Sequence, residues 1–173
     1  MSWSRRHALT LLAALPLAGC GFEPLYGSGG PAQRLRGQVR VAAIAGRDGY
    51  FLRERLLQRF GTPAADAPLL LSVTLTTVAR PLAITQTNDI TRYSLAGEAA
   101  FSLRLTGDPD PLLEDVLEGD ASYNAPASVP PAPPTASTIS ARAAEQDAGR
   151  RLAEYLAEQI ADRVLIAAEL LSR

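Results

Sequence analysis

The sequence predicts an α+β fold, a two-layer sandwich in which two helices pack on one face of a four-stranded mixed sheet. Two observations support this prediction. Four segments alternate apolar and polar residues with the period of two that half-buried strands show, and two others repeat apolar residues at the spacing of amphipathic helices. The predicted order is β-α-β-β-β-α, and placing both helices on one sheet face is the economical way to bury their apolar sides.

The first predicted strand is followed closely by the first helix. Val39 and Val41 alternate with polar neighbours and predict a short strand. Residues 50–60 place apolar side chains four positions apart, with most of the arginines of the segment on the other side, and Gly61 follows as a helix terminator. We therefore predict a three-turn amphipathic helix whose buried stripe consists of Leu52, Leu56 and Phe60.

Three consecutive strands are predicted next. Residues 69–79, 93–105 and 113–123 each alternate apolar and polar side chains, and residues 85–89 form a polar turn between the first two. The middle segment has the clearest pattern, so we predict an antiparallel strand with one solvated face. On the third segment, a solvated face best explains the carboxylates of Glu114, Glu118 and Asp120.

A proline- and alanine-rich segment separates these strands from the last helix. Residues 125–138 contain five prolines, so they cannot form a ladder strand and are predicted to be an extended surface loop. Thr138 or Ser140 can cap the long helix that follows. Its end, residues 164–171, is apolar enough to form either core or a partner-facing surface. The apolar stripe of this helix consists of Ala148, Leu152, Leu156, Ile160, Val164 and Leu171.

The first residues have the three parts of an export signal. A basic start at Arg5 and Arg6 precedes an apolar run over 8–18 and small residues before a cleavage site. As a helix this run would cover only about 16 Å, roughly half of a hydrocarbon core, so it is not a membrane span. We expect residues 1–19 to be removed. The paired arginines also resemble a twin-arginine signal, so both general and twin-arginine export stay open.

The signal ends in Leu17-Ala18-Gly19-Cys20, which resembles the lipobox of bacterial lipoproteins. Lipidation of Cys20 would give an effectively permanent membrane anchor, because several acyl chains are then buried in the bilayer. The alternative is a buried free cysteine. Gly21 is not the acidic residue associated with inner-membrane retention, which favours the outer membrane, with the domain on its periplasmic side. We expect residues 20–35 to form a flexible lipidated tether and residues 36–173 a single domain.

Missing residue types exclude most enzyme classes. The chain has one histidine, in the leader, one cysteine and no lysine. The mature protein therefore cannot form a Ser-His-Asp triad, a Cys-His pair, a histidine or thiolate zinc site, or a P-loop, and we expect no catalytic residues, metal or cofactor. The leader holds two of the 17 basic residues and none of the 18 acidic ones, so the mature net charge is −3 and does not favour nucleic acid.

Two motifs resemble a known family. The segment Cys20-Gly21-Phe22-Glu23-Pro24-Leu25-Tyr26-Gly27 is similar to the mature start of the LptE lipopolysaccharide-assembly lipoproteins of alphaproteobacteria. Arg142-Ala143-Ala144-Glu145-Gln146-Asp147 resembles the basic residue and Glu-Gln-Asp of that family at the head of its last helix. The predicted element order is also that of the family fold. Only the first motif is fairly specific.

The resemblance implies a non-enzymatic role as a plug inside the LptD β-barrel, the translocon that delivers lipopolysaccharide to the cell surface. Arg142 occupies the position of a basic residue that is thought to contact lipopolysaccharide phosphates, where a helix N-terminus would add to the attraction. A second basic position of some relatives corresponds to Gln86, a departure from the pattern. Arg92 is the nearest substitute.

Two other functions remain open from the sequence alone. A periplasm-facing outer-membrane lipoprotein that carries a lipid or apolar ligand would need a concave pocket between sheet and helices. A hydrolase that uses only carboxylates would need two of them to converge from separate elements, and the spacing of the acidic residues does not indicate such a pair.

Overall fold

The structure, a computed structural model, describes residues 30–84, 90–124 and 134–171. From the first strand onward its element order is the predicted β-α-β-β-β-α, with one additional short helix in front. The elements are α1 (Pro31–Leu35), β1 (Val39–Val41), α2 (Gly46–Phe60), β2 (Leu69–Ile84), β3 (Ile90–Leu105), β4 (Pro111–Asn124) and α3 (Pro134–Leu171).

The four strands form one mixed sheet in the order β1-β2-β3-β4. β1 is parallel to β2, and the connection between them contains α2, as a parallel pair requires a crossover. β2, β3 and β4 are successive antiparallel neighbours, with Leu71 opposite Leu103 and Tyr93 opposite Tyr123. The predicted mixed sheet is therefore confirmed.

α2 and α3 cover one face of this sheet, which confirms the two-layer arrangement. The predicted stripe of α2 is buried, and so is that of α3 from Ala148 to Val164. In β3 the apolar residues Leu95, Ala99, Phe101 and Leu103 are buried, whereas Leu105 at the strand end is exposed. α3 approaches the sheet closely at Gly97, where a Cβ atom would lie 2.8 Å from Cδ2 of Leu152. The fully or almost fully enclosed side chains include Val39, Leu52, Leu56, Phe60, Leu71, Leu152, Leu156, Ile160 and Val164.

The opposite face of the sheet carries mainly small and polar side chains and is partly or fully exposed. Thr74, Thr76 and Glu98 lie on this face, as does the exposed Val116. The predicted solvated face is thus confirmed, and the third strand places on it the carboxylates of Glu114, Glu118 and Asp120.

α2 and α3 run parallel and are joined by arginine–carboxylate pairs. Arg55 pairs with Glu158, and Arg59 reaches both Glu158 at 3.1 Å and Asp162 at 3.0 Å. Because the paired residues advance in the same direction along both helices, these contacts fix the register between α2 and α3. None of the helices within the described ranges is both long and apolar enough to cross a membrane.

The structure differs from the predicted tether at residues 31–35, which form α1. Pro31 is compatible with the first turn of a helix, where its missing N–H would have no intrahelical partner. Pro31 and Leu35 are buried, so packing against the domain stabilises a turn that local sequence alone does not indicate. Residues 1–29, with the export signal and Cys20, lie outside the described residues.

Three predicted element boundaries also change. α3 begins at Pro134, so Thr138 and Ser140 lie inside the helix and do not cap it, and residues 134–138 do not belong to the predicted loop. The other residues of that predicted loop, 125–133, lie outside the described part. α2 begins at Gly46, four residues early. β2 continues through Pro81. Among the described residues, β1 pairs only with Leu69 to Leu71 at the start of β2, so the N–H that proline lacks needs no strand partner on the β1 side at position 81.

Candidate functional site

The first turns of α3 extend beyond α2 and form a cleft with the sheet. α3 has 38 residues, a length of about 57 Å, and the first turn of α2 packs closely against it at Gly149. The preceding turns face the ends of β3 and β4. We call the resulting space, with a volume of about 540 Å³, the distal cleft; it is open to solvent and lined by Tyr93, Tyr123, Thr138, Ala141, Arg142 and Glu145.

Two stacked tyrosines form the sheet side of the distal cleft. Tyr93 and Tyr123 are opposite each other in the β3–β4 ladder, with ring centroids 5.3 Å apart and planes inclined by 11°. The pKa of Tyr123 is raised, first by burial and then by the negative charge of Glu145 and by Tyr93. The stack presents a flat, half-buried aromatic surface with polar edges beside a charged helix.

Arg142 lies on the helix side of the cleft, but not at a helix N-terminus. It follows Pro134 by eight residues, so about 12 Å of helix separate it from the first turn. The prediction that free backbone N–H groups of a helix N-terminus help Arg142 to bind an anion is therefore wrong, because α3 starts between one and two turns before the predicted caps. The Arg142 side chain is exposed and forms no ion pair with the residues that the structure describes.

Arg142 also borders a second depression on the other side of its helix turn. This arginine groove, as we name it, has a volume of about 250 Å³ and shares Arg142 and Glu145 with the distal cleft. Its remaining wall comes from the first turn of α2, from the sheet and from the next turn of α3. The residues that line it are Arg47, Asp48, Thr77, Leu95, Arg142, Glu145 and Gln146.

Arg92, the other arginine proposed from the sequence, lies on the opposite face of the sheet. It precedes Tyr93, and alternate side chains of a strand point to opposite faces. Its guanidinium donates a hydrogen bond to Oγ of Ser122 at 3.3 Å on the open face. The structure therefore does not bring Arg92 and Arg142 together. Gln86 lies outside the described residues.

The open face contains an acidic pair that the sequence did not indicate. Glu98 and Glu118 are directly opposite in adjacent antiparallel strands, so their Cβ atoms lie about 5 Å apart. They border a shallow basin of about 570 Å³ together with Asp120 and Arg80. The pairing could not be read from spacing, because it depends on the hairpin register. No group of three or more metal-ligating side chains occurs among the described residues.

Solved structures of bacterial lipoproteins share this fold. A candidate lipoprotein from Caulobacter crescentus matches with a TM-score of 0.60 at 22% identity, over 84% of this chain and 98% of its own. A minor lipoprotein from Acinetobacter baumannii matches with a TM-score of 0.51 at 14% identity, over 75% of this chain and 94% of its own. At these identities the likeness shows the fold alone, an α+β architecture found in small bacterial lipoproteins.

The family is shown by sequence. The family LptE, described as lipopolysaccharide-assembly, matches residues 36–164, from just before β1 into the second half of α3. The chain belongs to the LptE family. The matched region includes the distal cleft and the arginine groove. No curated protein matches the chain.

Proposed function

We propose that this protein is the lipoprotein subunit of the outer-membrane lipopolysaccharide translocon. In this proposal residues 1–19 are removed, a lipid on Cys20 holds the protein at the outer membrane, and the domain plugs the LptD β-barrel from the periplasmic side. The observation that carries the proposal is the match of the LptE lipopolysaccharide-assembly family over residues 36–164. The role is non-enzymatic.

The two faces of the sandwich suit a plug. Large outer-membrane barrels have a polar interior, and the open sheet face offers serine, threonine and charged side chains to such a wall. The other face is covered by helices whose outer sides carry arginine–carboxylate pairs. A rigid domain with polar surfaces on both layers can be enclosed by a polar barrel without exposing its core.

The first described helix and the distal cleft lie at opposite ends of the domain. The described chain begins at α1, and Arg34 of α1 pairs with Glu169 near the end of α3 at 3.1 Å. Glu169 and Arg142 are 27 residues apart on one helix, a distance of about 40 Å. The distal cleft therefore lies at the end of the domain remote from α1, and in our proposal α1 follows the lipidated segment.

Lipopolysaccharide is proposed to contact the distal cleft. The planar guanidinium of Arg142 can bind a phosphate or carboxylate through two parallel hydrogen bonds. The stacked rings of Tyr93 and Tyr123 line the same cleft and offer an apolar surface to the sugar or acyl carbons of the same ligand. An amphipathic anionic lipid would use both features, whereas a free inorganic anion would use only Arg142.

The barrel assignment is tested by purification of the tagged, lipidated protein from solubilised outer membranes. We expect a large β-barrel protein to copurify in a constant ratio and to remain bound at moderate salt concentration. The Cys20→Ala variant serves as a control that keeps the domain and removes the anchor. Repeated recovery of the lipidated protein without a barrel would contradict the LptD assignment.

The lipid assignment is tested by the affinity for purified lipopolysaccharide. Arg142→Glu should weaken binding by tenfold or more, because it replaces the proposed anion contact with a repulsive charge. Arg163→Glu is the matched control, since Arg163 is an exposed arginine of the same helix far from the cleft. Equal affinities of the two variants would remove Arg142 from the binding site.

In the native host, depletion of the protein should stop lipopolysaccharide from reaching the surface.

A carrier of a lipid or apolar ligand is the second candidate, and the volume of the distal cleft favours it. About 540 Å³ is enough for part of such a ligand, and two tyrosines line the space. The opening to solvent and the charges of Arg142 and Glu145 oppose it. Mass spectrometry of purified protein would show a co-purifying apolar molecule in stoichiometric amount if the carrier function were correct.

A further inference from the structure

The arginines on α2 and α3 divide into two groups. Arg53, Arg55 and Arg59 of α2 and Arg150, Arg151 and Arg163 of α3 each lie within 4.0 Å of a carboxylate. For the other two, Arg47 and Arg142, no ion pair occurs within the described parts of the chain. Both of these arginines line the arginine groove, although they come from different helices.

The carboxylates of the groove have other surroundings. Glu145 borders the distal cleft as well and raises the pKa of Tyr123 there. Asp48 faces α3 at Gly149, where a Cβ atom would lie 2.6 Å and 2.7 Å from its two carboxylate oxygens. Neither carboxylate lies within ion-pair distance of the two arginines, so both arginines border this small space without an ion pair among the described residues.

The contact of Asp48 with Gly149 determines where Arg47 lies. Only a residue without a side chain at position 149 leaves room for the Asp48 carboxylate against the backbone of α3. Asp48 belongs to the first turn of α2, where the helix dipole favours a negative charge. The contact therefore packs this first turn against α3 and sets Arg47 beside the turn that carries Arg142.

The helix dipole does not favour a cation at position 47. A positive charge in the first turn of a helix is opposed by the helix dipole. The Arg47 guanidinium lies 5.7 Å from the ring centroid of Phe51, one turn further along. This cation–π contact orients the arginine without neutralising its charge, so the guanidinium remains available to an anion.

We propose that Arg47 and Arg142 together bind one anionic group of the lipopolysaccharide headgroup, and that the packing of Asp48 on Gly149 positions Arg47 for this contact. The inference rests on the proposed function and adds a second binding residue to it. The second cation of the site then comes from α2 and not from the strand that carries Arg92. Its anion is a phosphate or a sugar carboxylate, since a guanidinium recognises both.

The pairing is tested with the full lipidated protein and purified lipopolysaccharide. Arg47→Gln and Arg142→Gln should each weaken binding about tenfold, and the double variant should lose less than the product of the two, because one anion is shared. Arg53→Gln is the matched control, an arginine of α2 outside the groove, and should stay within twofold of the unchanged protein. Circular dichroism should show the same fold for all four variants.

The possible outcomes separate this inference from the proposed function. If Arg142→Gln weakens binding and Arg47→Gln does not, the pairing is wrong and the single-arginine site stands. If neither substitution has an effect, both the pairing and the lipopolysaccharide site are wrong. If both weaken binding and their effects multiply fully, the two residues bind separate groups, which also contradicts a shared anion.

Competition identifies the anion. Inorganic phosphate should displace the lipopolysaccharide if the site binds phosphate, and galacturonate should do so if it binds a carboxylate. Dephosphorylated lipopolysaccharide should lose affinity only in the first case. Binding that neither anion reduces, at concentrations where a neutral salt has no effect, would overturn the proposal of an anion site.

The positioning role of Gly149 needs a readout beyond stability. Gly149→Ala should displace Asp48 and weaken lipopolysaccharide binding several-fold, and in this background Arg47→Gln should cost less than twofold. Asp48→Ala combined with Gly149→Ala removes the steric conflict and should restore part of the lost affinity. An undiminished tenfold effect of Arg47→Gln in the Gly149→Ala background would show that Gly149 does not position Arg47.

Discussion

The two halves of α3 differ in how their side chains are used. In the second half, Leu156, Ile160 and Val164 are completely buried, and the carboxylates pair with arginines of α1 and α2. In the first half, residues 138–146 lie over half-exposed tyrosines, and Arg142 has no ion pair within the described structure. We infer that stability is concentrated in the second half, whereas the first half keeps charged and aromatic groups available to a ligand. Binding regions are often drawn from the less stable part of a fold.

The largest effect is expected from truncation of the core of the second half. Leu156→Ala should lower the free energy of unfolding by about 3 kcal/mol, because it removes a fully buried side chain and leaves a cavity. Urea denaturation measures this change. Ile166→Ala is the control, with 49% of its side chain exposed, and should change stability by less than about 0.5 kcal/mol. Equal effects would show that burial of the α3 stripe does not determine the stability of the second half.

A smaller effect is expected from the ion pairs between α2 and α3. Glu158→Gln removes the partner of Arg55 and Arg59 and should cost about 1 kcal/mol, an amount that falls as salt screens the charges. Glu54→Gln is the control, because Glu54 only touches the adjacent Arg53 at 4.0 Å. Urea denaturation at low and high salt tests both; a cost that does not depend on salt would exclude the electrostatic explanation.

In the first half of α3, removing the charge of Glu145 should change the pKa of Tyr123 and have little effect on the free energy of unfolding. Burial raises the pKa of Tyr123 first, and the negative charge of Glu145 raises it further. Glu145→Gln should therefore lower this pKa toward its ordinary value and leave the burial effect in place. Ultraviolet absorbance of the phenolate reports the titration, and Glu154→Gln is the control. An unchanged titration curve would show that Glu145 does not face the tyrosine stack.

The smallest expected effect on stability comes from the pKa shift of Asp147, which lies between the two parts of α3. Hydrogen bonds from Arg150 and then Arg151 lower the pKa of its carboxyl group from the ordinary value of an aspartic acid. Since the folded pKa is depressed, the stabilisation is present above the unfolded pKa and is lost as the pH falls through the folded value. Carbon NMR of the carboxyl group should show this shift, and it should disappear in the variant with Arg150→Gln and Arg151→Gln. An ordinary pKa in the folded protein would rule out the pairing in solution.

Much of the fold could be predicted because each pattern was local. Alternation identified the sheet and its solvated face, and four-residue spacing identified the buried stripes of both helices. The sequence does not predict the start of α3, because Pro134 belongs to a proline-rich run that is typical of a loop, although proline is compatible with a first helical turn. α1 was missed because its stability comes from packing and not from its own sequence.

The candidate site could be predicted only in part. Arg142 was found through a motif that lies within one helix. Tyr93 and Tyr123 are joined by the register of a hairpin, and Arg47 meets the turn of Arg142 through the parallel packing of two helices. Both juxtapositions depend on tertiary structure, and no spacing in the sequence reports them. The signal that existed was indirect, namely an arginine in the first turn of a helix, where the dipole disfavours it.

Photo-crosslinking in native outer membranes tests most directly whether the first half of α3 and its cleft bind lipopolysaccharide. A benzophenone amino acid replaces Tyr93 in the distal cleft or Tyr155, which lies outside the cleft, further along α3 beside Gly119 of β4, and is 51% exposed. The account predicts an adduct with lipopolysaccharide from position 93 and little or none from position 155. Equal adducts at both positions, or an adduct only at position 155, would contradict it.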